Sequence, residues 1–340
     1  TSMDTERSTL AHGAGGQQTA ALIERLFARH FKNPDLTADD AAILSLDGKR
    51  IAMTTDGFIV SPWQFPGGNI GKLSICGTVN DLACMGARPR YLTCAFQIEE
   101  GFSLHDLDAI AASMGETAKA TGVTIVAGDT KVAGRGQVDG LFITTTGVGE
   151  LLPGVRTGGA LARPGDDIIV TGDVGRHGSA ILLARGSYGI DAAITSDCAP
   201  LWPMVAALFA ALPQKDVIHT IRDATRGGVG TVLYEIARES GVSIELTETA
   251  IPCAPAVRGL TGLLGLNPLY LACEGRLVLF CTPEATASVL DALHQTADGA
   301  SAARIGRVAA APAGRVSLTT ELGTTVLLPP PSGELLPRIC

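Results

Sequence analysis

The sequence predicts a mixed α/β (α+β) protein of two comparable domains followed by a short arm. Three observations carry this reading. At 340 residues the chain exceeds what one hydrophobic core usually organises. Short β-like runs alternate with amphipathic helical runs along most of its length, and a Gly/Pro-rich stretch interrupts the alternation near the middle.

Taken in order, residues 1–41 hold a glycine-rich stretch, His12-Gly13-Ala14-Gly15-Gly16, and a helix over Gln17–Phe31 with Leu22, Ile23, Leu26 and Phe27 on one face. Residues 42–152 form the first domain: β-like runs at Ile51–Thr55, Tyr91–Gln97, Val123–Ala127 and Leu141–Val148 alternate with helical runs at Ile70–Met85 and Leu104–Thr121. The stretch from Pro153-Gly154 to Arg163-Pro164-Gly165 marks a boundary. Residues 153–328 form the second domain, with strands at Ile168–Thr171, Val217–Ile221, Ser243–Leu246 and Arg276–Cys281. Its helices are expected at His177–Arg185, Leu201–Leu212, Val229–Glu239 and Pro283–His294. Residues 329–340 are proline-rich and read as a flexible arm that reaches roughly 35 Å if fully extended as polyproline II.

Composition narrows the function. A net charge of −8 and an aromatic content of 4% argue against nucleic-acid binding, which calls for clustered Lys and Arg and for stacking platforms. The longest apolar stretches, such as Met204 to Leu212, are too short to span a bilayer, and no charged-then-apolar leader opens the chain. A cytoplasmic protein is expected. Of the eight cysteines, seven sit in apolar contexts without zinc spacing and read as small buried hydrophobes; the eighth, Cys340, ends the chain.

Asp56, Asp81 and Asp129 each stand at the end of a predicted element. Hard oxygen ligands of this kind suit Mg²⁺ together with substrate phosphates. Each is equally explained alone, by a turn at Asp56-Gly57, a solvated helix face at Asn80-Asp81, or a cap at Gly128-Asp129-Thr130. The glycine-rich segments His12–Gly16 and Asp223-Ala224-Thr225-Arg226-Gly227-Gly228 offer backbone N–H groups to a polyanion, and neither matches a Walker or dinucleotide fingerprint.

Together these segments resemble the aminoimidazole ribonucleotide synthetase superfamily, whose members bind Mg-ATP with aspartates and glycine-rich loops across a dimer. The resemblance narrows to the HypE family of hydrogenase-maturation proteins. It rests on His12–Gly16, Phe65-Pro66-Gly67-Gly68-Asn69-Ile70-Gly71-Lys72-Leu73, Gly77-Thr78-Val79-Asn80-Asp81-Leu82-Ala83 and Gly128-Asp129-Thr130-Lys131-Val132. Arg222-Asp223-Ala224-Thr225-Arg226-Gly227-Gly228-Val229 and the terminal Pro337-Arg338-Ile339-Cys340 complete it.

The resemblance implies a two-domain fold of that superfamily, with a ferredoxin-like, ATP-binding N-terminal domain and an α/β C-terminal domain. It implies ATP and Mg²⁺ as cofactors, with His12, Gly13, Gly15, Gly16, Asp56, Lys72, Asn80, Asp81, Asp129, Thr130, Asp223, Arg226, Gly227 and Gly228 at the nucleotide and Asp56, Asp81 and Asp129 on the metal. It further implies that Cys340 receives a carbamoyl group from HypF, that ATP-driven dehydration turns it into a thiocyanate, and that the cyanide passes to a HypC–HypD acceptor for the NiFe-hydrogenase iron. Glu274 is the base and Lys131 the charge-stabilising cation on this reading, and the protein is a homodimer. Lys131 is otherwise a surface lysine. Two rival readings differ in the role of the tail: a small-molecule kinase or synthetase of the same fold, of the selenophosphate synthetase or thiamine-phosphate kinase type, leaves Cys340 idle. A non-catalytic carrier leaves the aspartates and glycine loops idle.

Overall fold

The computed structural model describes residues 39–340 except 187, 188, 191 and 332–335, together with Gln17, Ala20, Ala21 and Glu24. The glycine-rich stretch His12–Gly16 and nearly all of the expected helix Gln17–Phe31 lie outside the described residues.

The first half is a five-stranded sheet of order β1-β2-β7-β5-β6, built from β1 (Ala42–Leu46), β2 (Lys49–Phe58), β5 (Ala87–Glu99), β6 (Thr124–Ala133) and β7 (Leu141–Leu151). Only β5 and β6 run parallel, and their crossover is α2 (Leu104–Thr121). A small hairpin of β3 (Gln64–Phe65) and β4 (Gly68–Asn69) leads into α1 (Ile70–Cys84). Asn69 caps α1 by accepting from the Lys72 amide at 2.9 Å, and α2 runs from a Ser103 cap to a left-handed Gly122.

α1 is apolar all round because it is wrapped all round. Every one of its residues is buried except Lys72 and Asp81. It packs on α2 and the five-stranded sheet and also on strand β9 (Ile218–Asp223) of the second half, so its core is continuous with that of the second half. Two glycines permit this closeness: a Cβ on Gly77 would meet the Phe58 ring at 2.7 Å, and one on Gly71 the Ile110 carbonyl at 2.4 Å.

The second half is a seven-stranded sheet of order β14-β13-β10-β12-β8-β11-β9. Its strands are β8 (Asp167–Val170), β9 (Ile218–Asp223), β10 (Ser243–Thr247), β11 (Leu277–Cys281), β12 (Ala303–Ala309), β13 (Arg315–Thr319) and β14 (Thr325–Leu327). The central β8 and β11 are buried on both faces, and their alternate residues point into different cores. Ile169, Leu277 and Leu279 meet α4 (Trp202–Ala211) and α7 (Thr286–His294). Ile168, Val170, Val278 and Phe280 meet Val229, Val232, Leu233 and Ile236 of α5 (Gly228–Glu239). Each such side chain contributes about 1.5–3 kcal/mol by leaving water. Helices α3 (Arg176–Ala184) and α6 (Pro255–Leu264) pack together at the rim. α6 and strands β12 to β14 are additions that the sequence pattern did not reveal. Of the seven internal cysteines expected to be buried, six are, and Cys253 is half-buried.

Candidate active site

One of the two charged residues of α1, Asp81, marks the site. Asp81 meets Asp223, at the end of β9, and Asp40, just before β1; carboxylate oxygens of the three lie within 4.8 Å of one another. Thr54 of β2 donates to Asp81 Oδ2 at 2.8 Å, and the Asp56 carboxylate on the same strand adds a fourth negative charge. Burial, then the neighbouring charges, push the Asp81 carboxyl well above its ordinary range; Asp223 is raised for the same reasons, and Asp40 to about 6. Arg222 offsets part of this repulsion, with its Nε 2.7 Å from Asp40 Oδ1 and its other nitrogens facing Glu235 and Glu239 at 3.2 and 3.7 Å. Carboxylates gathered this closely fit a hard divalent cation, which takes one or two carboxylates and fills its remaining positions with phosphate and water.

The other expected nucleotide residues that the structure describes are spread over several places. Asp223 leads through Ala224–Arg226 into Gly227 and Gly228, which open α5 at φ of 79° and 64°. Gly228 is required there, since a Cβ would lie 2.5 Å from the Leu271 carbonyl oxygen. Lys72 points back to the Gly67 carbonyl at 3.1 Å. Asn80 is committed elsewhere: its amide donates to the Ala199 carbonyl at 3.0 Å and accepts from the Leu201 amide at 2.7 Å. Asp129, Thr130 and Lys131 lie on β6, whose residues are exposed from Thr124 to Val132. Lys131 pairs with Asp129 at 2.8 Å, and its hydrogen bond holds that carboxyl below its usual range. Within one chain neither belongs to the Asp40–Asp81–Asp223 cluster.

Glu274 is 2% exposed, and its Oε1 has no hydrogen-bond partner among the described residues. Burial raises its carboxyl well above the usual range, and the charges of nearby aspartates add to the effect. An unsatisfied buried oxygen of this kind is costly, and it is the form a poised base takes. The Glu274 amide donates to Asp197 Oδ1 at 3.1 Å, and a Cβ on Gly275 would lie 1.8 Å from the Asp197 carbonyl oxygen.

The end of the arm is docked. The Ile59 amide donates to a terminal carboxylate oxygen of Cys340 at 3.0 Å and the Ser61 amide to the Arg338 carbonyl at 3.1 Å, so the last residues lie along Ile59–Ser61 like an added strand. Arg338 returns a bond to the Ile59 carbonyl at 2.8 Å, pairs with Asp139 and covers the Phe142 ring. Arg185 donates to the carbonyls of Ser61 and Arg338, both at 3.0 Å, and to that of Pro337. Ile339 is 4% exposed, and His177 Nε2 lies 2.8 Å from its carbonyl oxygen. Cys340 packs against the same core that contains Cys76 and Cys198.

Both halves match models of one family, the AIR synthase related proteins: its N-terminal domain over residues 38–151 and its C-terminal domain over residues 163–319. The carbamoyl dehydratase HypE of Rhodobacter capsulatus is 47% identical over 339 residues, 98% of each chain. The chain belongs to the HypE family. A solved HypE in complex with ATP is 46% identical, with a TM-score of 0.81 over 97% of this chain and 99% of that one. HypE in a HypE–HypF complex is 42% identical, with a TM-score of 0.86 over 92% of this chain and all of the other. The chain therefore shares its fold with HypE over nearly all of its length. Asp40, His177, Arg185 and Asp197 went unread in the sequence, because each acts through a partner distant in the chain and stands in no motif; Arg222 opens a motif, but its pairing with Asp40 is not visible there.

Proposed function

We propose that the chain is an ATP-dependent carbamoyl dehydratase of hydrogenase maturation that works on its own last residue. A carbamoyl group on Cys340 Sγ loses its oxygen to the γ-phosphoryl group of ATP and both amide protons to the site. The products are the S-cyano group, ADP and phosphate. The observation that carries this reading is the inward dock of the terminal residues along Ile59–Ser61, with the Ile339 carbonyl on His177 and, across that ring, the Ser196–Ala199 turn hydrogen-bonded to Glu274, a buried glutamate that keeps an oxygen free. The relatives' name and the solved ATP complex supply the reaction class.

The chemistry requires activation because an amide oxygen is a poor leaving group and a phosphorylated one departs as phosphate. Asp40, Asp81 and Asp223, with Asp56 beside them, would hold Mg²⁺, which when bound neutralises the phosphates. The glycine loop before α5 orients them, so this part of catalysis is placement and charge stabilisation. Glu274 takes the amide N–H proton. Lys131 reaches a site only if β6 faces one, and the outer sheet surface offers the means: Met53 and Tyr91 are exposed on it. A second copy laid across that face would make a homodimer and bring Asp129, Thr130 and Lys131 toward the other copy's carboxylates.

HypF is the carbamoyl donor on this reading, as the HypE–HypF complex suggests, and a HypC–HypD complex is the acceptor. Among the described residues no helix is long and apolar enough to cross a membrane, and all eight cysteines are free thiols, which suits a cytoplasmic setting. The test is intact mass after incubation with HypF, carbamoyl phosphate and ATP. One carbamoyl gained and one water then lost, both absent from Cys340→Ser, supports the dehydratase. An adduct that never loses water marks a carrier, and no adduct points to a small-molecule kinase of the same fold.

A further inference from the structure

Between the docked tail and the buried glutamate lies a short segment, residues 196–199, that is hydrogen-bonded to the glutamate's backbone and reaches the tail through His177. The Ser196 amide donates to the Pro66 carbonyl at 2.8 Å, and Ser196 Oγ accepts from the Cys198 amide at 3.0 Å, closing a tight turn around Asp197. That turn grips Glu274 twice: Asp197 Oδ1 accepts its amide at 3.1 Å, and the Ala199 amide donates to its carbonyl at 3.4 Å. Gly275 lies so close to Asp197 that no side chain fits between them. The turn cannot shift without shifting Glu274.

On its other side the turn meets His177, fully buried in the first turn of α3, whose Nδ1 is 2.8 Å from Ser196 Oγ. Its Nε2 is 2.8 Å from the carbonyl oxygen of Ile339. A carbonyl only accepts, so Nε2 carries the proton; in the neutral ring Nδ1 then accepts from the Ser196 hydroxyl. Burial favours that neutral ring, and the edge of the ring stands against Phe65 at a centroid distance of 5.3 Å.

We infer that His177 is a positioning residue for the dehydration: one imidazole fixes the peptide preceding Cys340 and, through Ser196, the turn that holds Glu274. Tail docking and placement of the base are thereby coupled, and the inference rests on the dehydratase reading above. Any buried imidazole needs polar partners, and the two that this one has are the tail and the turn under Glu274.

The test uses the full chain carbamoylated on Cys340, with two readouts. Single-turnover loss of water by intact mass reports the chemistry. Tryptic cleavage after Arg338, which the docked tail shields, reports undocking. In His177→Phe, tryptic release of Ile339–Cys340 rises and water loss slows, each on the order of tenfold, as expected for a lost buried hydrogen bond. In His177→Gln, whose amide can donate to Ile339 and accept from Ser196, both recover toward wild type. Ser196→Ala keeps the tail docked and slows water loss, and it carries the test if His177→Phe does not fold. Wild-type rates in Ser196→Ala, or in His177→Phe, overturn the inference alone. Failure of the wild-type adduct to lose water overturns the dehydratase reading and this inference together.

Discussion

Nε of Arg222 stands 2.7 Å from Oδ1 of Asp40, with both side chains nearly buried, and this pair joins the strand end that carries Asp223 to the segment entering β1. Glu235 and Glu239 lean on the same guanidinium, and Glu239 is raised to about 7, chiefly by burial. Removing one partner of a buried pair strands the others. Arg222→Met is therefore expected to lower unfolding free energy by about 3 kcal/mol or more. Urea denaturation measures it, and a loss below about 1 kcal/mol would show that the acids are solvated well enough to do without the arginine.

Asp81 sits among like charges, so a neutral side chain relieves the cluster when no cation is bound. Asp81→Asn retains an acceptor for Thr54 and is expected to raise the melting temperature of the ligand-free protein. Mg-ATP should stabilise the wild type by about 2.7 kcal/mol at a hundredfold excess over Kd, and the variant far less. Thermal melts with and without Mg-ATP decide this. A variant stabilised as strongly as the wild type would remove Asp81 from the metal site.

Glu274→Gln keeps the shape and loses the base. Water loss from the carbamoylated chain should fall by about 10²–10⁴-fold while ATP binding is unchanged, because Glu274 binds neighbours through its backbone. Single-turnover mass spectrometry and ATP titration separate the two effects. Ordinary turnover in the variant assigns the proton to another acceptor.

Acid should loosen the tail's anchor. Burial lowers the His177 pKa against the opposing effects of the Ile339 carbonyl and the Asp197 charge. Below about pH 6.5 the unfolded chain binds a proton that the folded chain refuses, so this residue contributes stability at neutral pH that is lost on acidification, by at most about 1.4 kcal/mol per pH unit. Urea midpoints of wild type and His177→Gln, compared between pH 7.5 and pH 5.5, isolate it: the wild type should lose more. Equal losses would mean that the ring takes up a proton where it sits.

The helices and central strands were legible because their periodicity is local. Ile70–Cys84 and Leu104–Thr121 carry their own caps and apolar content, and β8 and β11 read as short apolar runs. Strands β12 to β14 were not legible. Each is short, with Arg304 and Arg307 alternating among small residues, and only pairing with β8, β10 and each other makes them strands.

By itself the sequence determined a two-part α/β fold, the acidic and glycine-rich segments, and a proline-rich stretch that carries Cys340. Those features depend on residue type and near spacing. Tertiary structure alone decided that Asp40 joins Asp81 and Asp223, that Asp129 and Lys131 face outward on β6, and that His177 and Asp197 stand between the tail and Glu274. Such groupings arise from chain closure around a shared core, where α1 meets both sheets, and no local pattern encodes which distant side chains that closure brings within a hydrogen bond.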